Sequence, residues 1–237
     1  MCDEIENKIE NKRRVLYLSG EITEESVLPL KQSIVQWNMD DDDLDEAYYL
    51  ENEGLLSNVI VEGTITSLSL SPLERQPINI FIDSGGGAIY AGLSLINIIK
   101  TSNTPINTIV DGKAMSMAFL IALSGNYRLG FKNSTWMYHD GSFGVWSDNT
   151  DIKRELKEAE RLGKIYDDLV KEWSYITEDW IKEIKDKRKN YYFDGIEALE
   201  LGVVDELLDH NIDEELYNAK CDICGVELCD CECGEDE

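Results

Sequence analysis

Two stretches of the chain share one pattern: INIFIDSGGGAIYAGLSLINIIK at residues 78–100 and INTIVDGKAMSMAFLIALSG at residues 106–125. Each begins with a short apolar run, passes through a glycine-containing turn and continues into a stretch of small and apolar residues. This order predicts a strand, a turn and a helix in each stretch. Two such units in succession favour an α/β fold.

Both turns carry residues that suit a ligand-binding or catalytic loop. Gly85, Gly86 and Gly87 provide backbone that tolerates a positive φ and can present N–H groups to a ligand. In the second unit, Ser116 lies where the strand turns into a helix, so its hydroxyl is expected to project near the helix N-terminus. A serine at this position could also serve only as a helix N-cap.

A serine hydroxyl attacks a carbonyl group only when a base removes its proton. The chain has two histidines, His139 and His210. His139 follows an apolar run at residues 134–138, whereas His210 lies in an acidic tail. A Ser–His site would therefore combine Ser116 with His139. A histidine at the end of a strand could equally be satisfied by a backbone carbonyl, so this alternative stays open at the level of the residues.

Four segments together resemble the successive signature blocks of the Clp protease proteolytic subunit (ClpP) family of the crotonase-like superfamily. They are FIDSGGGAIYAGLSL, DGKAMSMAFLIALSG, WMYHD and YYFDGIEALELGVVDELL, and the resemblance covers roughly residues 14–208. It implies an α/β spiral of repeated β-β-α units with a projecting handle helix. It also implies a serine endopeptidase that cleaves unfolded proteins inside stacked oligomeric rings and receives them from an AAA+ unfoldase such as a Clp ATPase.

The resemblance further implies a role for individual residues. Ser116 is the expected nucleophile, His139 the general base, and the N–H groups of Gly86 and Met117 the oxyanion hole. Hydrolysis by such a site needs no cofactor. The candidate substrate-binding residues are Gly85 and Gly87 of the glycine loop, with Gly141 and Gly144 of a segment that could hold a peptide by backbone pairing or be only a flexible loop.

Asn190 occupies the position where the family motif usually has the triad aspartate. An asparagine can accept a hydrogen bond from the imidazole through its carbonyl oxygen, but it carries no charge to stabilise the imidazolium. In a serine protease an Asp-to-Asn change can lower the rate by about 10⁴-fold. Asp186 and Asp194 are nearby in sequence and could substitute. A catalytically impaired structural subunit of a Clp ring therefore stays open as an alternative. The unusual insertion and tail leave a second alternative open, a phage head-maturation protease of the same fold.

Several further elements follow from the pattern of apolar residues. Residues 14–18 read as a strand, and residues 23–37 as a helix capped by Thr23. Residues 152–173 are predicted to form a long amphipathic helix, which could be an ordinary packing helix and which the resemblance identifies with the handle. Thr177 is expected to begin a shorter helix ending near residue 184. We expect a flexible segment at residues 1–12, a protease domain at 13–210 with an insertion at about 39–76, and a tail at 211–237. The insertion contains Val59, Val61 and an alternating TITSLSLS run that favours extra strands.

The formal net charge is −26, which argues against nucleic acid and anionic membranes as partners. Acidic residues concentrate at positions 40–53 and beyond residue 204, where we expect solvated surface or mobile segments. The N-terminus is too polar for a secretory signal, and no apolar run reaches the roughly 18 residues of a membrane span. We therefore expect a cytoplasmic protein.

Five of the six cysteines lie in the last 17 residues. Thiols stay reduced in the cytoplasm, so a disulfide framework is the weaker interpretation. The tail supplies enough thiolates for one tetrahedral zinc ion, although it lacks an apolar core and a disordered acidic tail is the competing interpretation. The candidate zinc ligands are Cys221, Cys224, Cys229, Cys231 and Cys233.

Overall fold

A computed structural model describes residues 14–56, 75–141, 152–187 and 190–208 of the 237-residue chain. Its strands are β1 (Val15–Ile22), β2 (Ile78–Gly87), β3 (Ile106–Met115), β4 (Tyr127–Gly130), β5 (Thr135–Tyr138), β6 (Tyr191–Phe193) and β7 (Glu206–Leu207). Its helices are α1 (Glu24–Leu56), α2 (Ile89–Lys100), α3 (Met117–Leu123), α4 (Ile152–Trp173), α5 (Glu178–Lys187) and α6 (Gly195–Glu200). The predicted α/β fold is confirmed.

Strands β1, β2 and β3 lie side by side in parallel, with β1 at one end of the strand order β1-β2-β3-β4-β7. Parallel neighbours need crossover connections, and α2 links β2 to β3 in this way. Along β2 the buried side chains alternate, with Ile78, Ile80 and Ile82 all directed into the core. The strand–turn–helix units predicted at residues 78–100 and 106–125 are therefore present.

On the edge opposite β2, strand β3 pairs with two further strands. Its first half, from Asn107 to Val110, pairs with β4, and its last residues, from Lys113 to Met115, pair with β5. β5 also pairs antiparallel with β6. This branch brings the ends of β3 and β5 together, and the residues that follow both strands therefore meet at one edge of the sheet.

The helix after β3 is buried along its whole length, as its composition predicts. Phe119 of this helix contacts three aromatic rings edge-on, those of Trp136, Tyr138 and Phe193, with centroids 6.0–6.4 Å apart. Trp136 and Tyr138 belong to β5 and Phe193 to β6, so α3 packs directly behind the two strands that border the site.

The predicted long helix coincides with α4, Ile152–Trp173. Its buried residues are Leu162, Tyr166 and Val170, whereas Ile152 and Leu156 are 41 % and 54 % exposed. The apolar stripe is therefore covered only in the second half of the helix. The predicted cap of the next helix is also found, because Thr177 Oγ1 accepts a hydrogen bond from the Trp180 N–H at 3.3 Å.

Helix α1 extends well beyond the predicted end near Trp37, to Leu56. The interpretation of the acidic block as solvated surface is wrong for Asp41, which is 5 % exposed. Its carboxylate accepts two 2.6 Å hydrogen bonds from Arg14 and one from the Thr104 hydroxyl. The buried carboxylate of Asp41 thus attaches the helix to the residues that precede β1 and β3. The predicted extra strands, the N-terminal segment and the tail lie outside the described residues.

Helices of sufficient length and apolarity to cross a membrane do not occur in the described part of the chain.

Candidate active site

Ser116 occupies a strained turn between β3 and α3. Its φ is 54° and its ψ is −122°, and it is the one non-glycine residue with positive φ among the described residues. Such backbone persists only when its surroundings hold it in place. Here the Ser116 N–H donates to the Met137 carbonyl at 3.0 Å, and the Tyr166 hydroxyl donates to the Ser116 carbonyl at 2.9 Å. The turn is therefore held from β5 and from α4.

The Ser116 and His139 side chains meet directly. The Ser116 Oγ lies 2.7 Å from the His139 Nε2, a hydrogen-bond distance. The contact follows from sheet register, because Met115 and Met137 are paired and the two side chains belong to residues just beyond them. The Ser116 side chain makes no capping hydrogen bond to α3. The serine is thus not acting as an N-cap, and this imidazole nitrogen meets a hydroxyl rather than a backbone carbonyl.

The surroundings of His139 favour its neutral form. Burial lowers the pKa of the imidazole, and the nearby Asp140 carboxylate raises it in part, so that the pKa stays below its ordinary value of 6.5. A neutral imidazole at pH 7 can accept the serine proton. This is the protonation state that a general base requires.

The glycine loop at the end of β2 packs tightly against the serine turn. A Cβ on Gly86 would lie 2.8 Å from the Ser116 Cβ, and the φ of Gly86 is 98°, so glycine is required there. The Gly86 N–H donates to Ser84 Oγ at 3.1 Å, and the Ala88 N–H donates to the Ile22 carbonyl at 2.8 Å. Both amides are already used within the protein.

A cavity of about 410 Å³ opens in front of the Ser–His pair. Gly87, Met117 and Gly141 line it together with Ser116 and His139. Gly85 is exposed at the loop, and Gly144 lies outside the described residues. A hydroxyl, a neutral base and loop amides around one cavity are the groups needed for acyl transfer through a tetrahedral intermediate.

Asn190 lies one residue before β6 and His139 one residue after β5, next to the paired residues Tyr191 and Tyr138. Asn190 is exposed, and its Nδ2 donates to the Tyr192 hydroxyl at 3.4 Å. Within the described residues no hydrogen bond joins Asn190 to His139. Asp194 accepts from the Glu197 N–H at 2.9 Å as the N-cap of α6, and Asp186 is exposed on α5. The structure brings Ser116, His139 and Met117 together and leaves the candidate third members outside the contact.

Sequence reasoning missed three residues that line the same cavity, Tyr166, Asp167 and Lys185. Tyr166 lies on the apolar stripe of α4 and reads as a core residue. Asp167 and Lys185 lie in helices rich in Lys and Glu, where charged residues read as a solvated face. One signal in the sequence could have indicated them: Asp167 directly follows Tyr166, an aromatic residue of the apolar stripe, in the helix that comes after His139.

Groups of His, Cys, Asp and Glu able to hold a metal are absent from the described ranges. The five tail cysteines fall beyond residue 208, outside these ranges. Their proposed role stays a prediction.

Comparison with known proteins gives a consistent result. The family described as Clp protease matches residues 56–211. The chain is 29 % identical over 159 residues to the ATP-dependent Clp protease proteolytic subunit of Deinococcus radiodurans, covering 66 % of this chain and 76 % of that protein. It is 29 % identical over 164 residues to subunit 2 of Treponema pallidum, covering 68 % and 81 %. It is 31 % identical over 186 residues to subunit 1 of Salinibacter ruber, covering 71 % and 78 %.

Proposed function

This chain belongs to the Clp protease family, and we propose that it is the proteolytic subunit of an ATP-dependent Clp protease. It is a serine-type peptidase. The observation that carries the assignment of its site is the 2.7 Å contact between Ser116 and His139 at the strained turn after β3. The pKa of His139, held below its ordinary value mainly by burial, supports its role as base.

In the reaction we propose, His139 removes the Ser116 proton as the Ser116 Oγ attacks the carbonyl carbon of the scissile peptide bond. The resulting imidazolium gives this proton to the departing amine when the C–N bond breaks. Water, deprotonated by the same imidazole, then attacks the acyl-enzyme. The carboxylate product leaves and the serine regains its proton.

The oxyanion that forms in each half-reaction needs N–H donors. Met117 directly follows the nucleophile and lines the cavity, which supports its N–H as the first donor. For the second donor we propose Gly87 in place of Gly86, because Gly87 lines the cavity whereas the Gly86 N–H donates to Ser84. Gly86 then serves to let the loop pack closely against Ser116.

A catalytically impaired structural subunit is the second candidate. Asn190 supports it, because this residue lacks the carboxylate charge and bonds to Tyr192 instead of His139. Such a chain would keep the Ser–His contact but turn over slowly, since nothing at position 190 stabilises the imidazolium. No observation on the described residues favours the phage head-maturation protease over these two.

Peptide hydrolysis separates the two candidates when three purified proteins are compared: wild type, Ser116→Ala and Asn190→Asp. If the chain is an active protease, the wild-type protein hydrolyses a fluorogenic peptide and the Ser116→Ala protein does not. If the chain is an impaired subunit, the wild-type protein does not measurably hydrolyse the peptide and the Asn190→Asp protein does. Silence of both wild type and Asn190→Asp, with assembly and folding verified, contradicts the peptidase site.

We further propose that the chain assembles into stacked rings in the cytoplasm and degrades unfolded proteins delivered by an AAA+ unfoldase. The exposed Ile152 and Leu156 on α4 support self-association, because a handle helix would cover them against a second copy. Native mass spectrometry of an Ile152→Asp/Leu156→Asp protein tests this step. We expect smaller assemblies than for wild type, and unchanged assembly contradicts a role for this surface.

Zinc in the tail is a separate proposal that rests on the five cysteines alone. Metal analysis of the full chain and of a chain ending at residue 210 checks it. One zinc per full chain and none in the shortened chain supports the site, and equal metal contents contradict it. Peptide hydrolysis is expected to be the same in both proteins.

A further inference from the structure

The two residues on either side of His139 are tied to one ion pair. The Tyr138 hydroxyl donates to Asp167 Oδ1 at 2.7 Å. The other oxygen of this carboxylate, Oδ2, accepts from the Lys185 ammonium, which also pairs with the Asp140 carboxylate at 3.3 Å. We name Asp167 and Lys185 the Asp167–Lys185 pair. It contacts Tyr138, the residue before His139, and Asp140, the residue after it.

The pair is largely removed from solvent. The side chains of Asp167 and Lys185 are 16 % and 27 % exposed, and Tyr138 is fully buried. Burial, followed by the hydrogen bond to Asp167, raises the pKa of Tyr138, so the phenol remains a donor. Burial alone would lower the pKa of Lys185, but Asp167 and Asp140 hold it above its ordinary value. The contacts therefore persist at neutral pH.

Helix α4 holds the serine as well as the histidine segment. Tyr166, next to Asp167, donates to the Ser116 carbonyl. Adjacent residues of one helix therefore contact both halves of the Ser–His pair. A displacement of α4 or of its contacts would change the distance between the two reacting side chains, and misplacement by about 1 Å can lower a rate about 10²-fold.

We propose that Asp167 and Lys185 are positioning residues, which fix the His139 imidazole against Ser116 by holding Tyr138 and Asp140. The proposal rests on the proposed roles of Ser116 and His139. It assigns to α4 and α5 the task of orienting the base, because no hydrogen bond joins Asn190 to His139 among the described residues. Neither residue touches the reacting atoms, and both act through the neighbours of His139.

The competing interpretation is an ordinary ion pair between two helices. The chain offers a matched control, because Lys171 of α4 pairs with Glu178 of α5 and so joins the same two helices. Lys171 does not line the cavity in front of Ser116, whereas Lys185 does. Lys185→Met and Lys171→Met each remove one cation from the α4–α5 contact, and only the first releases the His139 segment.

The first measurement is the rate of labelling by a fluorophosphonate probe, together with kcat and KM for a fluorogenic peptide. We expect Lys185→Met to lower the labelling rate and kcat about 10- to 100-fold with little change in KM. Lys171→Met is expected to stay within about threefold of wild type. Lys185→Arg keeps the charge and both acceptors within reach, and should restore most of the rate.

The pH profile provides a readout that a purely structural role would not move. The titratable groups that line the cavity with His139 are Asp140 from its own segment, Tyr166 and Asp167 from α4, and Lys185 from α5. Removing the Lys185 cation leaves the carboxylates unbalanced, which moves the acid limb of kcat/KM to higher pH. Asp167→Asn leaves the cation unbalanced and moves this limb to lower pH. We expect opposite shifts of roughly half a unit or more.

Each outcome decides the proposal. Slow labelling of Lys185→Met and Asp167→Asn with opposite pH shifts, in proteins whose melting temperatures match that of Lys171→Met, supports it. Equal labelling of Lys185→Met and Lys171→Met, or shifts in the same direction, overturns it. Failure of the wild type to react at Ser116 would instead contradict the proposed function. If Lys185→Met does not fold, Asp167→Asn is compared with Lys171→Met instead: slow labelling with an acid limb moved to lower pH supports the proposal, and labelling equal to that of Lys171→Met overturns it.

Discussion

The sheet positions His139 next to Ser116. Strands β3 and β5 are paired, Ser116 directly follows β3 and His139 directly follows β5, and the Ser116 Oγ lies 2.7 Å from the His139 Nε2. The region of Asn190 is different, because Asn190 is exposed and its side-chain amide donates to the Tyr192 hydroxyl. The first region consists of buried apolar strands, and the second of a short edge strand with polar neighbours. Backbone register therefore fixes the positions of the nucleophile and the base, whereas the orientation of the base depends on side-chain contacts.

The largest expected effect comes from breaking the first region at the base itself. His139→Ala removes the proton acceptor and should lower kcat/KM by about 10⁴- to 10⁶-fold, as loss of a triad member does in other serine proteases. The control is His210→Ala, which removes the other histidine and should leave hydrolysis unchanged. A fluorogenic peptide assay measures both. Activity retained in His139→Ala would rule out this residue as the base.

The second effect concerns the packing behind β5. Trp136 is 1 % exposed, stacks on Phe193 at 6.4 Å and meets Phe119 edge-on, so Trp136→Ala leaves a cavity beneath the histidine strand. We expect a loss of about 3–5 kcal/mol in the free energy of unfolding.

Tyr192→Ala on the exposed side of β6 serves as the control and should change the free energy of unfolding by less than about 1 kcal/mol. Urea denaturation compares the two variants. Similar midpoints would show that the core does not hold this part of the sheet.

The third effect is a change of pH dependence at the boundary between the two regions. Asp140 raises the pKa of His139, so Asp140→Asn should lower this pKa further. A base is active only when neutral, and activity is lost as the pH falls through its pKa. The acid limb of kcat/KM should therefore move to lower pH. Asp168→Asn, farther along α4 and paired with Lys164, is the control that should not move the limb. A shift to higher pH in Asp140→Asn would contradict this electrostatic account.

The smallest effect is expected on the Asn190 side. Asn190→Ala removes one weak hydrogen bond to Tyr192 and no hydrogen bond to His139, so kcat should change by less than about threefold. Tyr192→Phe removes the same hydrogen bond from the other partner and should behave alike. Steady-state kinetics measure both. A 100-fold loss in Asn190→Ala alone would show that Asn190 orients the base during turnover.

The sequence predicts the strand and helix units well where the apolar pattern is strong. The bounds of α4 match the prediction because its stripe repeats at helical spacing from Ile152 to Leu169. The end of α1 could not be predicted. Asp41 and its acidic neighbours resemble solvated chain, and their helical conformation depends on Arg14 and Arg75, which lie 27 and more residues away in sequence.

At the candidate site, too, features that depend on contacts between distant residues could not be predicted from the sequence. Ser116 and His139 could be paired from the chemistry of their residue types and the order of the blocks. The sequence could not show which glycine N–H is left free for the oxyanion, because this depends on the hydrogen bond that the Gly86 N–H donates to Ser84. Asp167 and Lys185 are 18 residues apart on two helices, and only the packing of α4 against α5 brings them to the histidine.

The most direct test of the Ser116–His139 pair is fluorophosphonate labelling followed by peptide mapping of the modified residue. The account predicts a single adduct on Ser116, formed at a rate that falls with the protonation of His139 and is lost in His139→Ala. An adduct on another serine, or none on an assembled and folded protein that hydrolyses peptides, would contradict it.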